Sequence, residues 1–166
     1  QYLALEGECI DLFALQQPVA GDLRFVASSF KIITDLERIG DLASNLAGYA
    51  IAAERDRYPE VDVRYIGEEA GAMVVDAVDA YANGDSAAAR EVAARDEKID
   101  RLCEGASEIV IEDLIRTEYG DEEFETMEDV SRLLLTIRDL ERIGDHATNI
   151  CARTVYMTDH DTVLIY

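Results

Sequence analysis

One stretch of the chain recurs at a fixed spacing, and this repeat limits the folds that the chain can adopt. Residues 25–46 read FVASSFKIITDLERIGDLASNL, and residues 129–150 read DVSRLLLTIRDLERIGDHATNI. At this offset of 104, eleven of the 22 positions are identical, and Asp-Leu-Glu-Arg-Ile-Gly-Asp is unbroken in both copies. Two copies of one structural unit therefore follow each other along the chain.

Apolar residues recur with the period of a helix, and no segment alternates like a strand. Residues 1–16 are expected to end a helix that has already begun. Further helices are predicted at Pro18 to Asp56, Val61 to Tyr81, Asp85 to Tyr119 and 121–157. Asn83-Gly84-Asp85 predicts a turn with Asp85 as the next N-cap, and Gly120 suits a C-cap. Pro59 lies in a polar connection between helices.

These helices and the repeat predict an all-α fold of two tandem, pseudo-symmetric three-helix bundles. The first repeat is expected at residues 1–57 as its C-terminal part only. The second is expected at residues 58–166 as a complete three-helix bundle. The chain lacks a starting methionine, so we expect its natural N-terminus to lie upstream.

Charge narrows the possible partners. Asp and Glu number 36 against 15 Lys and Arg, which gives a net charge of -21. This balance disfavours nucleic acids and anionic membrane surfaces as partners. Only Lys31 and Lys98 are lysines, and an acidic, lysine-poor surface suits concentrated salt, as in a haloarchaeal cytosol. No apolar run is long enough for membrane insertion, and three unpatterned cysteines favour reduced, buried thiols in the cytoplasm.

Paired acidic residues are the candidate metal ligands. Carboxylates four residues apart lie about 40° apart on a helix, where like charges repel. Both repeats place such a pair at the edge of an apolar stripe, followed by an asparagine, Asn45 or Asn149, and a third pair lies on the preceding helix. Two facing helices would then offer several hard oxygens to a cation. The predicted metal ligands are Glu37, Asp41, Asp96, Asp100, Glu141 and Asp145.

Arginine pairing is the alternative explanation for part of this acidity. Arg38 can reach Asp35, and Arg142 can reach Asp139, each three residues back on the same helix. We interpret these four residues as structural ion pairs. His146 is interpreted as a polar packing residue.

Three stretches resemble the PhoU family. They are Gln17-Pro-Val-Ala-Gly-Asp-Leu-Arg24, Thr34-Asp-Leu-Glu-Arg-Ile-Gly-Asp41 and Leu140-Glu-Arg-Ile-Gly-Asp-His-Ala-Thr-Asn149. The resemblance covers nearly the whole chain. It implies two three-helix bundles and multinuclear metal clusters on E(D)-x-x-x-D motifs, with Fe, Zn, Mn or Mg as the ion. Those motifs fall here on Glu37/Asp41, Asp96/Asp100 and Glu141/Asp145. The first bundle's counterpart of Asp96/Asp100 would lie before residue 1, so the first site is expected to be incomplete.

The resemblance also implies a function. Such proteins are cytoplasmic, non-enzymatic negative regulators of phosphate uptake and signalling. The implied partners are the ATPase subunit of a phosphate ABC transporter and, in bacteria, a sensor kinase. We expect a homo-oligomer, specifically a dimer.

Two other classes of function remain open. A metal-free acidic helical interaction module would keep the fold and bind only proteins. A di-iron carboxylate enzyme is less favoured, because Ile143 and Met157 stand where its Glu-x-x-His motifs would need glutamate before His146 and His160.

Overall fold

Six helices make up the part of the chain that the computed structural model describes, which is residues 2–15, 20–53, 60–116 and 123–165. They are α1 (Tyr2–Leu15), α2 (Ala20–Ala52), α3 (Val63–Asn83), α4 (Ser86–Ala93), α5 (Asp96–Arg116) and α6 (Glu123–Asp159). These ranges contain no strand. The predicted all-α class is confirmed.

Polar side chains define two of the helix starts. Asp62 accepts a hydrogen bond from the Tyr65 amide at 2.9 Å and begins α3, and Asp85 does the same for Ala88 and begins α4. Gly84 ends α3 with a φ of 62°, which glycine adopts without a side-chain clash. The predicted turn and N-cap at 83–85 are therefore confirmed, whereas Pro18, Pro59 and Gly120 lie outside the described residues.

The predicted single helix from Asp85 to Tyr119 is wrong, because the chain turns at Ala94 and Arg95. The Arg95 amide donates to Val92 and the Lys98 amide donates to Arg95, both at three-residue spacing. Such tightened turns interrupt the four-residue ladder of an α-helix. No glycine or proline marks this place in the sequence. The interruption makes Asp96 the first residue of α5.

The longest helix, α6, is the centre of the packing. It contacts α2, α3, α4 and α5, while α1 packs only against α2 among the helix pairs in extensive contact. Fully buried side chains on α6, such as Ile137 and Ile150, meet buried residues of α3 and α5, such as Met73 and Ile99, in one core. The helices α3 to α6 thus form a bundle, and α2 of the preceding repeat lies along it.

All three cysteines, at positions 9, 103 and 151, form no disulfide and are buried, so the predicted burial is confirmed and the reduced state stays a prediction. None of the helices in the described ranges combines the length and the apolar content needed to cross a membrane.

Candidate metal centre

The carboxylates of α5 and α6 in the second repeat form one cluster. Burial, followed by the charges of nearby Asp100, Asp145 and Glu141, raises the pKa of Asp96. The two helices run antiparallel here: Asp96 lies against Gly144, and Cys103, two turns further along α5, bonds the Ile137 carbonyl of α6. We call Asp96, Asp100, Glu141 and Asp145 the acidic groove.

A glycine makes this approach possible. A Cβ atom on Gly144 would lie 3.3 Å from both Asp96 Oδ1 and Ile99 Cγ2. That distance is shorter than an ordinary van der Waals contact, so a side chain at 144 would force the Asp96 or Ile99 side chain to shift by a few tenths of an ångström. The repeat-related Gly40 has no such neighbour within 4 Å. Close helix packing therefore accounts for the glycine in the second repeat only.

The groove holds its negative charge at an energetic cost. Burial, together with Asp100 and Asp145, raises the pKa of Asp96 to about 6. Burial and neighbouring carboxylates also raise the pKa of Glu141 and Asp145, although both keep much of their surface exposed. None of the four carboxylates makes an ion pair within the described ranges. Mutual repulsion without a paired cation is the condition that a metal ion relieves.

One oxygen of the groove is poorly satisfied. Asp96 Oδ1 is buried and, among the described residues, accepts no hydrogen bond of ordinary geometry; the buried Thr148 hydroxyl lies close enough to lower the pKa of Asp96 but makes no ordinary hydrogen bond either. Hard, unpartnered carboxylate oxygens fit a cation such as Mg²⁺ or Mn²⁺ in their chemistry. However, among the described residues no three His, Cys, Asp or Glu side chains converge closely enough to hold a metal ion. The donor types fit, but their side chains would have to close around the ion.

Cys103 lies beside the groove, where neighbouring carboxylates act on its thiol. Burial and the carboxylates of Glu141, Asp100 and Asp145 raise the pKa of its thiol to about 12. In the metal-free protein the thiol is therefore protonated at neutral pH, which disfavours nucleophilic attack, a reaction that requires the thiolate.

The first repeat does not build an equivalent groove. Glu37 and Asp41 are exposed on α2, and neither has a buried, poorly satisfied oxygen like Asp96 Oδ1 of the second repeat among the described residues. Among the predicted ligands, the structure brings together only the four of the second repeat.

The predicted ion pairs are only partly correct. Asp35 pairs with His146 Nδ1 at 2.8 Å, and within the described residues it has no ion pair with Arg38. Asp35 faces α6 and is largely buried, while Arg38 is exposed, so the two side chains diverge. Arg142 lies 3.9 Å from Asp139, but Arg138 is nearer at 2.8 Å.

Asp139 is fully buried, and two of its hydrogen-bond donors come from the other repeat. Asn45 Nδ2 lies 3.4 Å and the Tyr49 hydroxyl 3.3 Å from Asp139 Oδ2. In return, Asn149 Nδ2 of α6 lies 3.5 Å from Asp35 Oδ1 of α2. The two asparagines, expected beside the metal, instead bond across the junction between repeats. The sequence carries a signal for this arrangement, because both repeats have the same aspartate and the same asparagine at equivalent positions.

Known proteins share this architecture. The family profile described as the PhoU domain matches residues 1–50 and 63–154. A "Phosphate-specific transport system accessory protein PhoU homolog" of Pseudomonas putida is 39% identical over 156 residues, which covers 92% of this chain and 59% of that protein. The chain thus spans about three-fifths of the length of the curated relatives it matches.

Two crystal structures match the fold. PhoU from Pseudomonas aeruginosa superposes with a TM-score of 0.87 at 34% identity, over 96% of this chain and 75% of that one. The phosphate transport system regulatory protein PhoU from Streptococcus pneumoniae gives 0.85 at 29% identity, over 98% and 74%. Similarity therefore extends over nearly the whole of this chain.

Proposed function

The chain belongs to the PhoU family, and from that premise we propose that it is a regulatory accessory protein of phosphate transport. In finer terms, we propose a negative regulator of phosphate uptake that contacts the ATPase subunit of a phosphate ABC transporter. A sensor kinase as a further partner, a cytoplasmic location and a homodimer belong to the same proposal. Its action is binding rather than catalysis, in keeping with relatives named accessory and regulatory proteins.

Metal binding is the chemical part of this proposal. The observation that carries it is the acidic groove, in which two helices hold four unpaired carboxylates with raised pKa values for Asp96, Glu141 and Asp145. A divalent or iron-type ion held by Asp96, Asp100, Glu141 and Asp145 would offset their repulsion and tie α5 to α6. Bound metal would thereby stabilise the folded bundle.

The two repeats offer a matched test of metal binding. The double variant Glu141→Gln/Asp145→Asn removes two charges from the groove, and Glu37→Gln/Asp41→Asn removes the repeat-related charges from the exposed pair. We expect metal per chain, measured by mass spectrometry after dialysis, to fall in the first variant and to stay at the wild-type level in the second. Equal occupancy in all three proteins would contradict the proposal.

Contact with the transporter is tested separately. The chain, immobilised in concentrated salt, is expected to retain the ATPase subunit of the phosphate transporter. A second ABC ATPase of unrelated substrate serves as the control. Failure to retain the phosphate transporter subunit with and without Mn²⁺ would contradict the proposed partner.

A metal-free interaction module is the second candidate. It is favoured by the lack, within the described ranges, of three ligating side chains that converge on one point. It predicts that a chelator leaves the melting temperature unchanged while the ATPase subunit is still retained. A drop in melting temperature on chelation that Mn²⁺ reverses would exclude it.

A further inference from the structure

A cavity of about 340 Å³ lies at the junction between the two repeats, bordered by α2, α5, α6 and the C-terminal tail. It shares Asp96 and Asp145 with the acidic groove, but its other polar side chains are of a different kind. Arg38 of α2 and Arg142 of α6 both line it. We call this cavity the arginine cleft.

The two arginines keep most of their hydrogen-bonding capacity. Arg38 forms no ion pair with any described residue, and the nearest carboxylate to Arg142 is that of Asp139, at 3.9 Å. They occupy equivalent positions of the repeat, and the antiparallel packing of α2 and α6 brings both to one cavity. A guanidinium stays charged at all physiological pH values and presents a planar fork of donors that matches a tetrahedral oxyanion.

Two further polar atoms of the cleft are poorly satisfied. Thr148 Oγ1 and Asp96 Oδ1 are both buried; Thr148 interacts with the Asp96 carboxylate and lowers its pKa, but among the described residues neither atom makes a hydrogen bond of ordinary geometry. The hydroxyl can donate, whereas the carboxylate oxygen can only accept. A ligand that satisfies both must itself carry an acceptor and a donor. Because the mutual contact of these two buried atoms is poor, a ligand with both groups would satisfy them better than they satisfy each other.

Inorganic phosphate has this combination of groups. At neutral pH it carries anionic oxygens that accept from guanidinium and hydroxyl groups, and it keeps at least one P–OH that can donate to a carboxylate. Sulfate is fully deprotonated and can only accept, so a carboxylate in the cleft would repel it. Asp96 would therefore discriminate between two anions of similar size and shape.

We propose that the arginine cleft binds inorganic phosphate in a protonated form, with Arg38, Arg142 and Thr148 as donors and Asp96 as the acceptor of the P–OH proton. This inference deepens the proposed function and rests on it, because it makes phosphate itself a ligand of the regulator. A cation in the acidic groove would add positive charge beside the same cleft and would strengthen anion binding.

Calorimetric titration with inorganic phosphate tests the proposal. It is carried out on chelated and on Mn²⁺-loaded protein, with sulfate and phosphoserine as comparison ligands. Arg38→Gln and Arg142→Gln each remove one guanidinium from the cleft. Arg101→Gln is the matched control, since Arg101 pairs with Glu97 on the exposed face of α5. Thermal unfolding of each variant verifies that it is folded.

We expect wild-type protein and the Arg101 variant to bind phosphate alike, and each cleft variant to bind it at least about tenfold more weakly, a difference expected for a lost charge-assisted contact. Sulfate should bind wild type more weakly than phosphate, and Asp96→Asn should reduce that preference. Phosphate binding should persist without Mn²⁺ and become tighter with it.

Several outcomes would overturn the inference. They are no phosphate binding in either form, unchanged binding in both arginine variants, or equal affinity for sulfate in wild-type protein. Tighter binding of phosphoserine would instead assign the cleft to phosphorylated protein. If phosphate fails to bind while the ATPase subunit is still retained, only this inference falls. If phosphate binds but the subunit is not retained, the proposed partner falls and the cleft stands.

Discussion

His146 Nδ1 lies 2.8 Å from Asp35 Oδ1 and joins α6 of the second repeat to α2 of the first. Both side chains are largely shielded from solvent. The bond spans 111 residues of sequence, so it forms only when the two repeats dock. Leu42 is the residue equivalent to His146 in the first repeat, and it is buried as well. The junction therefore combines a polar contact on one side with an apolar contact at the equivalent position.

Replacing His146 by leucine, the residue of the other repeat, should weaken this junction. Asp35 would lose its closest partner while remaining largely buried, so we expect the free energy of unfolding to fall by about 1–3 kcal/mol. Urea unfolding at constant salt measures the change. The double variant Asp35→Asn/His146→Leu should lose less than the sum of the single losses, because both changes remove one interaction. Strict additivity would contradict the coupling.

Asp139→Ala should lower the free energy of unfolding more than a typical surface substitution does. The buried carboxylate accepts from Asn45 and Tyr49 and pairs with Arg138, and its loss leaves these donors unpaired. We expect a destabilisation of about 2 kcal/mol in urea unfolding. Glu112→Gln, in the exposed pair with Arg116, is the control and should change stability by less than about 0.5 kcal/mol. Similar effects of the two substitutions would contradict the role of Asp139.

The two repeat-related glycines should respond differently to alanine. Gly40→Ala should stabilise α2 by up to about 1 kcal/mol, because alanine favours helix and, apart from the backbone of α2 itself, no atom of the described residues lies within 4 Å of the new Cβ. Gly144→Ala should not stabilise α6 in this way, since its Cβ would lie only 3.3 Å from Asp96 Oδ1 and from Ile99 Cγ2. Thermal unfolding compares the pair. Equal stabilisation by both substitutions would show that α5 does not need the close approach.

Asp96 should make the metal-free protein less stable as pH rises. Burial and its carboxylate neighbours raise its folded-state pKa to about 6 from an ordinary value of 3.8, so the folded chain holds this proton more tightly than the unfolded chain. Its contribution to stability is complete below pH 3.8 and is lost as pH rises through about 6.

The variant Asp96→Asn removes this contribution and should gain stability relative to wild type across that pH range. Urea unfolding with a chelator present, at constant ionic strength, measures the difference at each pH. A difference between variant and wild type that does not change with pH would contradict the raised pKa.

The sequence predicted the helical class and most helix ends because both depend on local patterns. Apolar periodicity and short polar caps, such as Asp85, act within one or two turns of the chain. The break at Ala94 and Arg95 was missed since neither residue is a helix breaker. It depends on how α4 and α5 pack against α6, which is a property of the whole bundle.

The candidate site was predictable in part for the same reason. The four-residue spacing placed Glu141 with Asp145, and antiparallel packing brought Asp96 to them. Sequence reasoning paired Asp35 with Arg38 because those residues are neighbours on one helix. In the folded chain, Asp35 turns to α6 and meets His146, and nothing local encodes that choice.

The reciprocal bonds at the junction have an evolutionary consequence. The aspartate of each repeat meets the asparagine of the other, through Asp35 with Asn149 and Asn45 with Asp139. An ancestral gene that encoded a single repeat would therefore have produced a self-complementary surface, suited to a two-fold symmetric pair of identical subunits. Gene fusion would have joined such subunits covalently, and each half could then carry its own residues, such as His146 in one half and Leu42 at the equivalent position of the other.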